Sequence, residues 1–194
     1  MSYIDQWQAE TLKRDKQLEK IAPWIGYLVM AFNELEEQLN GHLICEITNH
    51  DDFEEDAVGH AVIAGMGYSA KADLLGKIVR VKLKACGCSP SRLKKFKKIY
   101  DALKDANKQR NDIVHAAWEE YDIKIRTVKT KTKVNIDEGE LDHITNKIMP
   151  RDIKKAHTFI INLADKLDEF FDADPYQMTR INRKLTGGSS PTRE

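Results

Sequence analysis

The chain has 194 residues, enough for one mid-sized domain with a full hydrophobic core. Its 41% hydrophobic and 32% charged content describes a globular protein with an unusually charged surface. No apolar run approaches the ~18 residues of a membrane span, and Met1 to Asp5 lacks the basic and apolar regions of a secretory signal, so a cytoplasmic location is expected. Three cysteines, two of them the closely spaced Cys86 and Cys88, fit a reducing compartment.

Thirty-one basic and thirty-one acidic side chains cancel, which taken alone argues against a nucleic-acid binder. The sum hides a segregation. Residues 1–60 hold 4 basic and 13 acidic side chains (net −9), whereas residues 71–110 hold 13 and 3 (net +10). Either acidic and basic helices pack side by side and neutralise each other, or a local basic surface exists on a neutral protein.

In chain order, residues 3–20 read as a polar helical lead-in, set apart in the domain plan as 1–20. From Pro23, the recurrence of Trp24, Leu28, Phe32, Leu35, Leu39, His42 and Leu43 at steps of three and four predicts an amphipathic helix to about residue 48. Asp51 and Asp52 offer an N-cap to a second helical stretch, broken at Gly65-Met66-Gly67 and resumed through Leu74, Leu75, Ile78 and Val79. Gly87 to Pro90 ends it. Ser89 or Ser91 caps a third helix with the stripe Leu93, Phe96, Tyr100 and Leu103, running to about Trp118.

Alternation at Ile123 and Ile125, then at Val134 and Ile136, predicts a β-hairpin over about 121–137. Pro150 opens a last helix with the stripe Ile153, Ala156, Ile160, Leu163, Leu167 and Phe170, stopped by Asp174-Pro175. The expected fold is all-α, a helical domain over 21–175 with a small inserted hairpin and a flexible tail over 185–194.

The third helix carries an anomaly. With Leu103 at 0° on a 100° wheel, Phe96, Val114, Ile99 and Ala117 fall within about 40° of it. Asn107 at about 40°, Arg110 at about −20° and Asn111 at about 80° interrupt that face, with His115 at its edge. An arginine there needs a partner, either a carboxylate from the acidic first helix or an anion from outside. In a structural reading, Glu34, Glu36 or Glu37 neutralises Arg110, Asn111 bridges helices and His115 is a boundary residue.

The string Arg110-Asn111-Asp112-Ile113-Val114-His115 resembles the signature of the HEPN superfamily (higher eukaryotes and prokaryotes nucleotide-binding): arginine, four to six residues, then histidine on a helix of an all-α domain. The order of elements is also similar across roughly residues 22–173, with Phe32-x-x-Leu35-Glu36-x-x-Leu39 in the first long helix and Lys71-x-Asp73-Leu74-Leu75 in the middle one. The hairpin and the lead-in depart from the minimal helical bundle. The resemblance implies a metal-independent endoribonuclease, with Arg110 and His115 as the catalytic pair and Asn111 beside them, in a toxin or antiphage role. The main alternative is a non-catalytic HEPN module for nucleotide sensing or protein interaction.

The side chains suit the chemistry. RNA brings its own 2′-OH nucleophile, so proton transfer and charge stabilisation suffice, without metal or cofactor. Histidine exchanges a proton near neutral pH, and arginine grips phosphoryl oxygens. On an ideal helix Arg110 and His115 diverge by about 140°, while Asn111 and His115 share a face. Two copies meeting about a two-fold axis would then complete a composite site, so a homodimer is expected, with a neutralising or regulatory protein as a further partner. Lys97, Lys104 and Lys108, on the His115 side, are candidate contacts to the RNA backbone. His42, His50 and His60 lack zinc-ligand spacing, and Cys86/Cys88 has no second half, so no metal site is expected.

Overall fold

The structure, a computed structural model, describes residues 3–48, 57–115, 117–122, 127–135, 140–144 and 148–173. The fold is mainly helical. The helices are α1 (Tyr3–Thr48), α2 (Ala57–Ile63), α3 (Tyr68–Ala85), α4 (Pro90–Val114) and α5 (Pro150–Asp172). Between α4 and α5 the backbone forms antiparallel strands β1 (Ala117–Asp122), β2 (Thr127–Asn135) and β3 (Glu140–Ile144), in the order β1-β2-β3. Ile123, Ile125 and Ile136, on which the expected hairpin rests, lie outside the described residues, as do Asp51, Asp52, His50 and the 185–194 tail.

Two expectations about helix limits are corrected. The lead-in and the first helix are one helix, α1, with Pro23 inside it. Proline removes one main-chain donor and crowds the preceding turn, yet Pro23 faces solvent, where the freed carbonyl can be hydrated. The third helix stops at Val114, not near Trp118, because the backbone turns at His115 and enters β1.

Two compact units make up the chain. The first comprises Met1–Phe32 and Lys108–Ile160. Its core holds Ile21, Leu28, Ala31 and Phe32 of α1, Ile113 of α4, and Ile153, Ala156 and Ile160 of α5. The rings of Trp24, Tyr27 and His157 meet one another at 5.6 to 6.2 Å, and the Lys154 ammonium lies 4.3 Å from the Trp24 ring centre. At the start of α5 the Asp152 carboxylate accepts a hydrogen bond from the Met149 amide at 2.9 Å, which satisfies a main-chain donor at the helix entry.

The second unit comprises Asn33–Asn107 and Ile161–Glu194. Leu35, Leu39, Leu43 and Ile44 of α1 are buried with Leu75, Val79 and Leu83 of α3, Phe96, Ile99, Leu103 and Ala106 of α4, and Leu163, Leu167 and Phe170 of α5. Fully burying each of the valine, leucine, isoleucine and phenylalanine side chains among them contributes roughly 1.5–3 kcal/mol.

Acidic α1 and basic α3 are tied by two ion pairs here. Lys71 Nζ lies 2.8 Å from Glu36, and Lys82 Nζ lies 2.9 Å from the Glu46 carboxylate while donating to the Glu46 carbonyl at 2.8 Å. The pairs are ten residues apart on α1 and eleven on α3, so the two helices run parallel through this unit. His42 pairs with Asp168 at 2.7 Å and stacks on Phe171.

Close approach between α3 and α4 depends on Gly76. A β-carbon at this position would come within 2.6 Å of the Tyr100 ring. With hydrogen there instead, the ring lies against α3 and its hydroxyl donates to Asp73 at 2.6 Å. Arg80 covers the same ring at 4.4 Å. The α3–α4 turn uses Gly87 at φ +65°, and Ser89 Oγ accepts from the Arg92 amide at 3.4 Å, a long capping contact.

Candidate functional site

The last turn of α4 belongs to the first unit and carries Arg110, Asn111 and, just past the helix, His115. The buried residues of α4 explain why Arg110 is drawn inward. Phe96, Ile99, Leu103, Ala106 and Ile113 are buried, spanning about +20° to −80° on the wheel, and Arg110 at about −20° falls in the middle of that arc. The guanidinium carbon lies 5.5 Å from the centre of the Phe32 ring. Nε is buried and has no hydrogen-bond partner among the described residues.

Arg110 and His115 do not diverge. Arg110 Nη1 donates to Asn111 Oδ1 at 2.9 Å and approaches His115 Nε2 at 3.4 Å. The wheel describes where a side chain leaves the helix, not where its end arrives. Helical side chains lean toward the N-terminus over the turn behind them, which carries His115 toward Asn111, its neighbour four residues back. The long arginine beside Asn111 bends to the same spot. The His115 amide still donates to the Asn111 carbonyl at 3.1 Å, so the last helical hydrogen bond holds the ring over that turn.

Arg110 Nη1 can donate to Nε2 only in the tautomer that leaves the Nε2 lone pair unprotonated. At 3.4 Å the contact is weak, and the exposed ring is open to a competing donor. The cluster therefore combines a fixed cation, an amide that orients it and an exposed imidazole within one turn. None of the glutamates offered as neutralising partners is ion-paired with Arg110 among the described residues, and Glu36 is taken by Lys71.

The three candidate lysines differ. Lys108 is exposed in the first unit, whereas Lys97 and Lys104 belong to the second. Lys97 pairs with Asp101 at 2.6 Å; Lys104 lies 3.1 Å from Asp73 and 4.7 Å from the Tyr100 ring centre. The hydrogen bond from Tyr100, then Lys104, holds the Asp73 carboxyl below its usual range, and contacts with Tyr100 and Asp73 raise the Lys104 ammonium. Asn107, the third polar interruption, donates to Ser69 at 2.8 Å in the second unit.

Phe32 is the site residue that periodicity misses. Its place in the apolar stripe of α1 marks it as core, and only the arginine on the buried arc of α4 hints that a ring has to lie beneath a cation. Among the described residues no three of His, Cys, Asp and Glu gather closely enough to hold a metal ion, and no helix is long and apolar enough to cross a membrane. No protein-family model matches the chain, and neither a characterised relative nor a solved structure matches it.

Proposed function

We propose that the protein is a metal-independent endoribonuclease of the HEPN type, with Arg110 and His115 as its catalytic pair. The observation that carries this reading is the 3.4 Å approach of a partly buried arginine, with no carboxylate partner among the described residues, to the exposed His115 ring. His115 Nε2 takes the proton of the RNA 2′-OH, whose oxygen attacks the adjacent phosphorus. The bond from phosphorus to the 5′ oxygen breaks, leaving a 2′,3′-cyclic phosphate and, once that oxygen is protonated, a 5′-hydroxyl. Arg110 neutralises the charge that builds on the phosphoryl oxygens, and Asn111 sets the plane of its guanidinium.

One chain supplies both the cation and the base, so intrachain geometry no longer requires a second copy. A homodimer keeps a chemical argument: a second His115 would protonate the leaving 5′ oxygen. Lys108 is the free lysine best suited to the RNA backbone, whereas Lys97 and Lys104 would first have to leave their aspartates. A toxin or defence role follows from the family resemblance, and a restraining protein partner from that role, whereas the cytoplasmic setting rests on the sequence expectation above.

The test is cleavage of single-stranded and structured RNA in EDTA by wild type, Arg110→Ala and His115→Ala. Loss of about 10²-fold or more in both variants supports the reading. Equal cleavage by all three sinks it. RNA or nucleotide binding without cleavage by wild type selects the non-catalytic HEPN module instead.

A further inference from the structure

α1 begins well before its core does. Ile21 is its first buried residue, at 2% exposure, so 18 helical residues, about 27 Å, precede it. Those residues continue the spacing of the stripe, with polar Thr11 and Arg14 at the centre of the arm. Ile4, Trp7, Thr11, Arg14, Leu18, Ile21, Ile25, Leu28, Phe32, Leu35 and Leu39 alternate in steps of three and four without a slip, the a/d pattern of a coiled coil. From Ile21 onward the stripe is mostly buried within the chain, whereas Ile4 and Trp7 stand 65% and 61% exposed.

Charge along the arm indicates what covers it. Residues 3–11 carry Asp5 and Glu10 and no base (net −2), while residues 12–20 carry Lys13, Arg14, Lys16 and Lys20 against Asp15 and Glu19 (net +2). A parallel pair of arms would set like charge on like. An antiparallel pair sets each acidic half on a basic one.

We infer that the α1 arm, residues 3–20, is an interaction surface for a second copy of this chain, which pairs with it antiparallel along the Ile4-Trp7-Thr11-Arg14-Leu18 stripe. Alternating a and d layers put Trp7 level with the partner's Leu18 and Thr11 level with the partner's Arg14. The polar central layer fixes the register, at a cost in strength that the flanking Trp7–Leu18 layers offset. This surface owes nothing to the nuclease reading, and the two stand or fall separately.

Light scattering from micromolar to about 100 µM tests the pairing, with far-UV circular dichroism as the check on folding. Wild type is expected to reach twice 22.3 kDa. Trp7→Glu raises the dimer dissociation constant roughly 100-fold or more, whereas Leu12→Glu, off the stripe at a side chain 60% exposed, leaves it within a few-fold. Asp5→Lys with Glu10→Lys weakens the dimer, and adding Lys16→Glu with Lys20→Glu to the same chain restores it. A wild-type monomer throughout the range overturns the inference. So does a dimer indifferent to Trp7→Glu, or one equally weakened by Leu12→Glu.

Discussion

Arg110 and His115 leave α4 about 140° apart on an ideal helix, yet their side chains meet at 3.4 Å over Asn111. Each element of this contact makes a distinct demand. Arg110→Lys keeps the charge but loses the planar fork that reaches Asn111 and His115 together, so it is expected to cleave RNA nearly as poorly as Arg110→Ala. Asn111→Ala keeps both proposed catalytic groups and releases the guanidinium, so on the proposed mechanism an intermediate loss of about tenfold is expected. Initial cleavage rates at saturating RNA separate the two.

The buried Lys82–Glu46 pair predicts a non-additive cycle. Lys82→Met strands the Glu46 carboxylate and is expected to cost about 3–5 kcal/mol, whereas Lys82→Met with Glu46→Leu costs far less, because neither charge is left without a counterion. Urea denaturation of the four proteins measures the coupling.

Gly76 and Tyr100 form a steric pair. Gly76→Ala places its methyl against the ring and is expected to destabilise by about 1–3 kcal/mol despite alanine's better helix propensity. In a Tyr100→Leu background the same change costs less or becomes favourable. Thermal unfolding midpoints of the two single variants and the double variant decide it.

Two groups give stability a pH dependence of known sign. Asp73 is held below its ordinary 3.8 by Tyr100 and Lys104, so its contribution is present above that value and lost as pH falls through the lowered folded value. Asp73→Asn is therefore less stable than wild type near pH 6, and the gap closes on acidification. Burial, then the Glu36 carboxylate, pushes the Tyr68 phenol up from 10.0, so its contribution is present below pH 10 and lost as pH rises further. Stability should fall by up to about 1.4 kcal/mol per pH unit above pH 10 from this group, and Tyr68→Phe removes that slope. Urea midpoints across both ranges test the signs.

Much of the fold is legible because burial repeats with the helical period. Every residue of the stripe from Ile153 to Phe170 is buried in α5, and the break between α2 and α3 falls at the Gly65–Gly67 segment. The limits of α1 and α4 were harder to read. Pro23 faces solvent and does not end α1, and the apolar run past Val114 continues as strand β1, whose repeat of two differs from the helical period.

The candidate site is legible in the sequence as a polar interruption at Arg110, but its geometry is not. A projection of Cβ directions cannot say where the end of a seven-atom side chain arrives. The lysines show the same limit in reverse: Lys97 and Lys104 stand on the expected side, yet Asp101 and Asp73 already hold them. The charge segregation is used partly inside the protein, at Glu36–Lys71 and Glu46–Lys82.

Each compact unit is assembled from stretches far apart in the chain, Met1–Phe32 with Lys108–Ile160 and Asn33–Asn107 with Ile161–Glu194. During synthesis the part of α1 that belongs to the first unit, up to Phe32, must therefore wait, its apolar stripe uncovered, until Lys108–Ile160 has left the ribosome, whereas the part from Asn33 can meet α3 and α4 earlier. Neither core can close before α5 has emerged, so folding is late and depends on contacts distant in sequence. A break within α5 would cost both units at once.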